Sequence, residues 1–302
     1  MAEEHNIVPE NSMVYCENLV KIYKTKDSEV LALQGLELNI DRGELVAIIG
    51  NSGSGKSTFL NMVGGLARPS AGRLFVDGKN LFKMTDKELV EYKRGTVGFV
   101  WQNNARNLLP YLTASENIQM PMMLTGQRRR RERALELLEL VGMSHKRDRK
   151  LSEMSGGEQQ RIAIAIALAN NPRLLLADAP TGSVDTRTGN YILDIFRELN
   201  RNGQTIMIVT HDRMVSKKVS RVIAIRDGKT SSEFITKQSY VDRLDSVDIF
   251  SEDVQDEFAI LDRAGRLQIP RELLDAIGVQ GNKVVLRQEG GRIVLESPAE
   301  QE

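Results

Sequence analysis

The sequence predicts an α/β fold, a mostly parallel sheet with helices on both faces, followed by a small C-terminal β-rich domain. Three observations predict it. Over the first 230 residues, short apolar runs alternate with helical patterns, as buried parallel strands and their crossover helices do. One of those runs, Leu45–Ile49, ends on a glycine-rich loop that opens a helix. The charge balance also changes near residue 239. From Ser239 onward there are 14 acidic and seven basic residues, a net of −7, which leaves +7 on residues 1–238.

Each element has its own signal. Leu45–Ile49 is an apolar strand closing on Gly50, and Lys56–Leu66 carries helical spacing. Arg173–Ala177, Thr205–Thr210 and Val222–Ile225 read as three further buried strands. The polar, acidic stretch 231–256 reads as a linker. Beyond it, Ala259–Asp262, Leu267–Pro270, Lys283–Arg287 and Arg292–Leu295 read as short strands. Arg271–Ile277 reads as one short helix, stopped by Gly278.

Composition narrows the function. With 302 residues, 41% hydrophobic and 27% charged, the chain is long enough for about two domains and a core of its own. Forty-one basic residues balance 41 acidic ones, which argues against a dedicated nucleic-acid binder. The single cysteine, Cys16, excludes an internal disulfide and points to a reducing compartment. Residues 1–9 lack the apolar run of a signal peptide. The longest uninterrupted apolar stretch, Ile162–Ala169, is far short of the ~18 residues that cross a bilayer, so work at a membrane would need a partner.

Gly50, Asn51, Ser52, Gly53, Ser54, Gly55, Lys56 and Ser57, followed by Thr58, fit the pattern G-x-x-x-x-G-K-[ST] between a strand and a helix. Glycines at this spacing let backbone N–H groups curl around phosphates, and the helix N-terminus adds positive potential. Lys56 then reaches the β- and γ-phosphates of a nucleotide, and Ser57 can ligate Mg²⁺. Asp178, at the end of the apolar run Leu174–Ala177, stands where a second magnesium-side carboxylate belongs.

Between these motifs, Met154-Ser155-Gly156-Gly157-Glu158-Gln159-Gln160-Arg161 resembles the signature of ABC transporter ATPases, with Met where Leu is usual. Tyr23 stands at the family's adenine-stacking position. Gln102 matches the Q-loop, Asp185 the D-loop and His211 the switch histidine. The resemblance covers about residues 13–230. It is closest to the lipoprotein-releasing and macrolide-export type, on Asn107–Ala114 with Glu116 and Asn117, on Leu151–Arg161, and on Ala177–Asp178 with Pro180–Gly182. It implies a P-loop cassette with added antiparallel β and helical subdomains. It further implies Mg²⁺ held by Ser57, Gln102 and Asp178, and a homodimer in which Ser155, Gly156, Gly157 and Glu158 of one subunit close over ATP on the other. The implied partner is a separate integral-membrane permease at the cytoplasmic face of the membrane, with no nucleic acid involved.

The chain departs from the family at one position. The residue after Asp178 should be the general-base Glu, and here it is Ala179. A methyl group accepts no proton, and loss of a general base costs ~10²–10⁴ in rate. The expectation is that ATP binds and the dimer closes while turnover is very slow. Ala179, His211, Gln102 and Asp185 are thus the catalytic positions. An isolated loss among intact motifs fits a directed Glu→Ala replacement in an active parent better than erosion.

Three further features are ambiguous in the sequence. The run Arg128–Arg131, opening a helix over Glu132–Val141, reads as a solvated face or as a contact for lipid headgroups or a membrane partner. Met120, Met122 and Met123 border the family's groove for the permease's coupling helix, and read equally as core. Leu261–Leu273 resembles the AbrB-like swapped-hairpin domain, over residues 257–296. That resemblance implies interleaved chains, with Arg263, Arg266 and Arg271 as DNA-contact candidates. The tail's net −7 opposes DNA binding. The tail therefore reads as a dimerisation or regulatory module that tethers two cassettes. The alternative is a nucleotide-responsive DNA-binding regulator that uses this tail.

Overall fold

The computed structural model describes residues 8–24, 28–102, 108–212, 215, 218–236, 255–261, 265–279 and 284–297. The chain forms two units, Met1–Glu257 and Phe258–Glu302. In chain order the first runs β1 (Ser12–Lys24), β2 (Glu29–Asp41), β3 (Leu45–Ile49), α1 (Lys56–Val63), β4 (Ala71–Val76), β5 (Lys79–Asn80), α2 (Asp86–Gly95) and β6 (Val97–Val100). It continues with α3 (Ala114–Leu124), α4 (Arg130–Leu140), α5 (Gly156–Leu168), β7 (Leu174–Asp178), α6 (Thr186–Arg201), β8 (Thr205–Val209), β9 (Arg221–Arg226) and β10 (Lys229–Thr236). β11 (Gln255–Ala259) falls on the boundary between the units. The second unit holds α7 (Arg271–Ala276) and the antiparallel pair β12 (Val285–Glu289) and β13 (Arg292–Glu296).

The larger sheet contains the order β10-β9-β3-β8-β7-β6. β3, β6, β7, β8 and β9 pair in parallel, and β10 adds antiparallel to β9. Strand periodicity sends alternate side chains to opposite faces. In β3, Leu45 and Ala47 join a core cluster with Ile162, Ala165, Ile192 and Phe196 of α5 and α6. Val46 and Ile48 join the other cluster, with Phe59, Leu60 and Val63 of α1. That second cluster also takes Val14, Leu36 and Leu74 from the antiparallel sheet β2-β1-β4-β5. A fully buried side chain of this kind contributes ~1.5–3 kcal/mol. The sheet is therefore covered on both faces, by α5 and α6 on one side and by α1 and the second sheet on the other. α2, α3 and α5 each start with a reciprocal capping box, Thr85/Glu88, Thr113/Glu116 and Ser155/Glu158.

Several expectations need correction. α1 ends at Val63, three residues early, because Gly64 caps it and Gly65 turns the chain with φ 68°. α4 begins at Arg130, so two of the four arginines lie inside it. The stretch 231–256 is not wholly linker: it begins within β10 and ends in β11, and residues 237–254 lie outside the described residues. β11 ends at Ala259, and Leu267–Pro270 forms no strand. Asn107 and Arg263 lie outside the described residues.

Candidate functional site

Four parallel strands stand side by side in the order β3-β8-β7-β6, so their carboxyl ends open on one edge. Ligands of open α/β sheets bind outside those ends. Here the edge carries the loop Gly50–Ser57 after β3 and Thr210–His211 after β8. Asp178 and Ala179 follow on β7, and Trp101–Gln102 on β6. The register continues past the strands: Thr210 N–H donates to the Ile48 carbonyl at 3.0 Å, and Ala179 N–H to the Val209 carbonyl at 2.8 Å.

The glycines of the loop are fixed by space and by backbone angle. A Cβ on Gly50 would run into the Ile225 carbonyl, and one on Gly55 would stand 2.6 Å from the Ala32 carbonyl oxygen. Gly53 has open space around it and is required only by its φ of 80°. The first turn of α1 has no side-chain cap and no acidic residue, so its N–H donors are available to an anion. Lys56 folds over the loop, donating to the carbonyls of Gly50 and Asn51 at 2.8 Å each and to Ser54 Oγ at 3.3 Å. Burial pushes its pKa down, and the nearby Asp178 carboxylate opposes that. Asn51, Ser52 and Ser57 are exposed on the same loop, and Thr58 is half-buried behind them.

Ala179 has a left-handed backbone, φ 40°, and its methyl is buried. A Cβ built on Gly182 would lie 3.6 Å from the Ala179 methyl and 3.9 Å from Gln102 Nε2, so the two side chains face the same point. His211 is exposed beyond β8. Its neighbour Asp212 donates its N–H to Thr210 Oγ1 at 2.9 Å and accepts from Thr181 Oγ1 at 3.2 Å. The segments after β7 and β8 are thereby tied together. Tyr23, at the end of β1, is 40% exposed with the Lys21 ammonium 4.9 Å from its ring centroid.

Ser155, Gly156, Gly157 and Glu158 form the start of α5. The Glu158 carboxylate is engaged within the helix end: it accepts the Ser155 N–H at 2.9 Å and pairs with Lys146 at 2.6 Å. The Lys146 ammonium, with the Ser155 donors, holds its carboxyl below the usual range. Asp185 caps α6, accepting the Thr188 N–H at 3.0 Å and its hydroxyl at 2.7 Å, and these bonds lower its pKa. Among the described residues, no hydrogen bond or ion pair joins Ser155–Glu158 to the loop at 50–57. Lys146 and Thr188 were not singled out in the sequence. Asp-x-x-Thr at a helix start is a capping signal that could have found Thr188. No local signal marks Lys146.

A second concavity, of about 480 Å³, opens between the sheet and the helical region. Its lining includes Phe99, Trp101, Met120, Pro121, Leu124 and Asn170. The Trp101 and Phe99 rings stack with centroids 3.9 Å apart. The methionines separate by role. Met120 lines the cleft, Met122 is fully buried in the core, and Met123 is exposed.

A family model described as ABC transporter matches residues 33–182. An ABC transporter ATP-binding protein of Thermotoga maritima is 44% identical over 211 residues, covering 69% of this chain and 89% of that protein. The macrolide export ATP-binding/permease protein MacB of Hyphomonas neptunium is 41% identical over 229 residues, 75% of this chain but 35% of MacB. The solved structure of the cassette MJ0796 of Methanocaldococcus jannaschii, a dimer in a post-hydrolysis state bound to ADP and Pi, is 41% identical, with a TM-score of 0.68 over 73% of this chain and 97% of that one. Among the described residues, no helix is long and apolar enough to cross a membrane. With its loop, fold and relatives in agreement, the chain belongs to the ATP-binding cassettes of ABC transporters and is an ABC-type ATPase.

Proposed function

We propose that this chain is the ATP-binding subunit of a transporter of the lipoprotein-releasing or macrolide-export type, seated on a separate membrane permease at the cytoplasmic face. The observation that carries this reading is the 480 Å³ cleft, whose wall residue Trp101 is the chain neighbour of Gln102 at the sheet edge. A helix of the permease in that cleft would press on the segment that faces the nucleotide. The MacB likeness supports the same reading, since the name of that protein joins ATP binding and permease in one chain. The test is permease-stimulated ATPase activity, in the Ala179→Glu form, of Pro121→Arg and Leu124→Asp variants. Loss of stimulation with ATP binding intact supports the reading; unchanged stimulation overturns it.

The residues divide the work on ATP. Loop N–H groups and Lys56 take the phosphates, releasing Lys56 from the Gly50 and Asn51 carbonyls, and Tyr23 takes the adenine. Ser57, Gln102 and Asp178 would hold Mg²⁺. Mg²⁺ is commonly bound through one or two carboxylates and keeps waters and phosphate oxygens as other ligands, a demand that one carboxylate with a hydroxyl and an amide can meet. When bound, it neutralises charge on the phosphates. Ser155–Gly157 of a second copy complete the site, since within one chain they stand apart from the loop. Gln102 and His211 orient groups at the γ-phosphate, and Asp185 shapes the facing edge.

The Ala179 methyl offers no proton acceptor, so bound ATP holds the dimer closed and hydrolysis is slow. Restoring the carboxylate in Ala179→Glu raises kcat by ~10²–10⁴ at unchanged ATP affinity. Equal turnover in both forms would sink this account.

For the second unit we propose self-association. Among its described residues only Val279 is buried, while Leu261, Leu273, Leu286 and Ile293 are exposed. About 40 residues cannot bury a core alone. Deleting residues 239–302 should weaken dimerisation without nucleotide, and an unchanged oligomeric state would count against it.

A further inference from the structure

Arg128, Arg129, Arg130 and Arg131 are all exposed at the turn from α3 into α4. Only Arg129 meets a carboxylate, Glu132, at 3.7 Å in an exposed pair. Among the described residues the side chains of Arg128, Arg130 and Arg131 form no ion pair and no hydrogen bond. The fold does not use these three charges. Just ahead of them, at the end of α3, Met123 and Leu124 are 53% and 69% exposed. The turn between is pinned rather than loose. Asn170 Oδ1 accepts from Thr125 Oγ1 at 3.2 Å and from Gln127 Nε2 at 3.3 Å, and Asn170 Nδ2 reaches the Pro121 carbonyl at 3.4 Å. Asn170, Pro121 and Leu124 all line the cleft. The arginine run is therefore held at the cleft's rim, next to exposed apolar side chains.

We propose that Arg128–Arg131, with Met123 and Leu124, form a contact for anionic phospholipid headgroups at the rim of that cleft. Guanidinium groups match phosphate oxygens in geometry and charge. Basic residues beside exposed apolar tips are the composition of a surface that lies on a bilayer without crossing it. This inference rests on the cleft being the permease's seat, which would bring its rim to the headgroups.

The test separates the two claims. The full chain, without permease, is sedimented with vesicles of phosphatidylcholine and with vesicles of phosphatidylcholine mixed with phosphatidylglycerol. Binding is expected to the anionic vesicles only, and to fall as salt rises. Replacing Arg128, Arg130 and Arg131 together with Gln should lower the partition by about two orders of magnitude, at about a factor of five per arginine. ATP binding, which these residues do not touch, serves as the fold control. Met123→Ser with Leu124→Ser should weaken the partition further. A chain that ignores anionic vesicles, or a triple variant that binds them unchanged, overturns the proposal. So does a triple variant that loses permease stimulation in detergent at unchanged vesicle binding, because the arginines then serve a protein contact. Unchanged stimulation in Pro121→Arg would overturn the docking reading and with it this one, whereas the vesicle results overturn the lipid contact alone.

Discussion

Gly157 lies so close to Thr188 that a Cβ on the glycine would stand 2.7 Å from the threonine methyl. The Thr188 hydroxyl at the same time donates to Asp185 at 2.7 Å. One threonine therefore links the start of α5 to the cap of α6. Gly157→Ala must push Thr188 and disturb its bond to Asp185, at a cost of ~1–3 kcal/mol for overpacking. ATP-driven dimerisation should weaken while a single chain still binds nucleotide. Thr188→Ser removes the methyl and keeps the hydroxyl, so the double variant should recover most of the loss, and a double-mutant cycle on dimer affinity measures the coupling.

Ala179 bears a backbone conformation that glycine adopts freely and β-branched residues resist. Ala179→Gly should leave denaturant stability level or raise it by up to about 1 kcal/mol. Ala179→Val should lower it by ~1–3 kcal/mol. Equal stability of the valine and glycine forms would contradict the left-handed geometry.

The Glu158 carboxyl has its pKa lowered in the folded chain, first by Lys146 and then by the Ser155 donors. A depressed carboxyl stabilises the fold above its unfolded pKa, and the benefit disappears as pH falls through the folded value. Glu158→Gln keeps a capping partner at the same helix position but loses the ion pair. It should cost up to about 1 kcal/mol at neutral pH, the pair being partly screened. Melting curves of the two forms should converge once pH drops well below about 4.

Arg221 sits mostly buried between Glu44 at 2.8 Å and Glu233 at 3.0 Å. Arg221→Met strands two carboxylates and should destabilise the cassette by ~2–4 kcal/mol. Adding Glu44→Gln and Glu233→Gln should return part of it in the same thermal scan.

That cluster also shows where sequence reading fails. Ser231, Ser232 and Glu233 look like the start of a linker, yet with Thr230 they belong to β10, where Ser231 and Ser232 are buried. Two of the four find partners that composition does not show, Thr230 donating to the Glu37 carbonyl and Glu233 pairing with Arg221, while the Ser231 hydroxyl is buried with no hydrogen-bond partner among the described residues. Composition cannot display such partners. The two long strands β1 and β2 were equally hard to read, because repeated register shifts break their alternation. β3, by contrast, spans the same five residues in the structure as in the sequence, since a strand buried on both faces needs only an unbroken apolar run.

The site divides in the same way. The loop at 50–57 was legible because phosphate binding by backbone demands glycine at set spacing, and neighbouring carbonyls at Gly50 and Gly55 and the φ of Gly53 require glycine there independently. Glu158, expected at the nucleotide of a second copy, has its carboxylate on Ser155 and Lys146 within the single chain. That pairing depends on a residue 12 positions away on a different turn. The three methionines also required coordinates, since adjacent Met122 and Met123 differ completely in exposure.

Trp101 is the sole tryptophan in 302 residues. Its indole stacks on Phe99 in the wall of the cleft, one peptide bond from Gln102. The protein thus carries a single indole fluorophore in the wall of the cleft, beside the nucleotide edge. Emission excited at the indole band needs no unmixing, and a helix entering the cleft would dehydrate the ring from one side. A triphosphate drawing on Gln102 would tug the same ring through the backbone. One spectroscopic channel can time both events in an unlabelled chain.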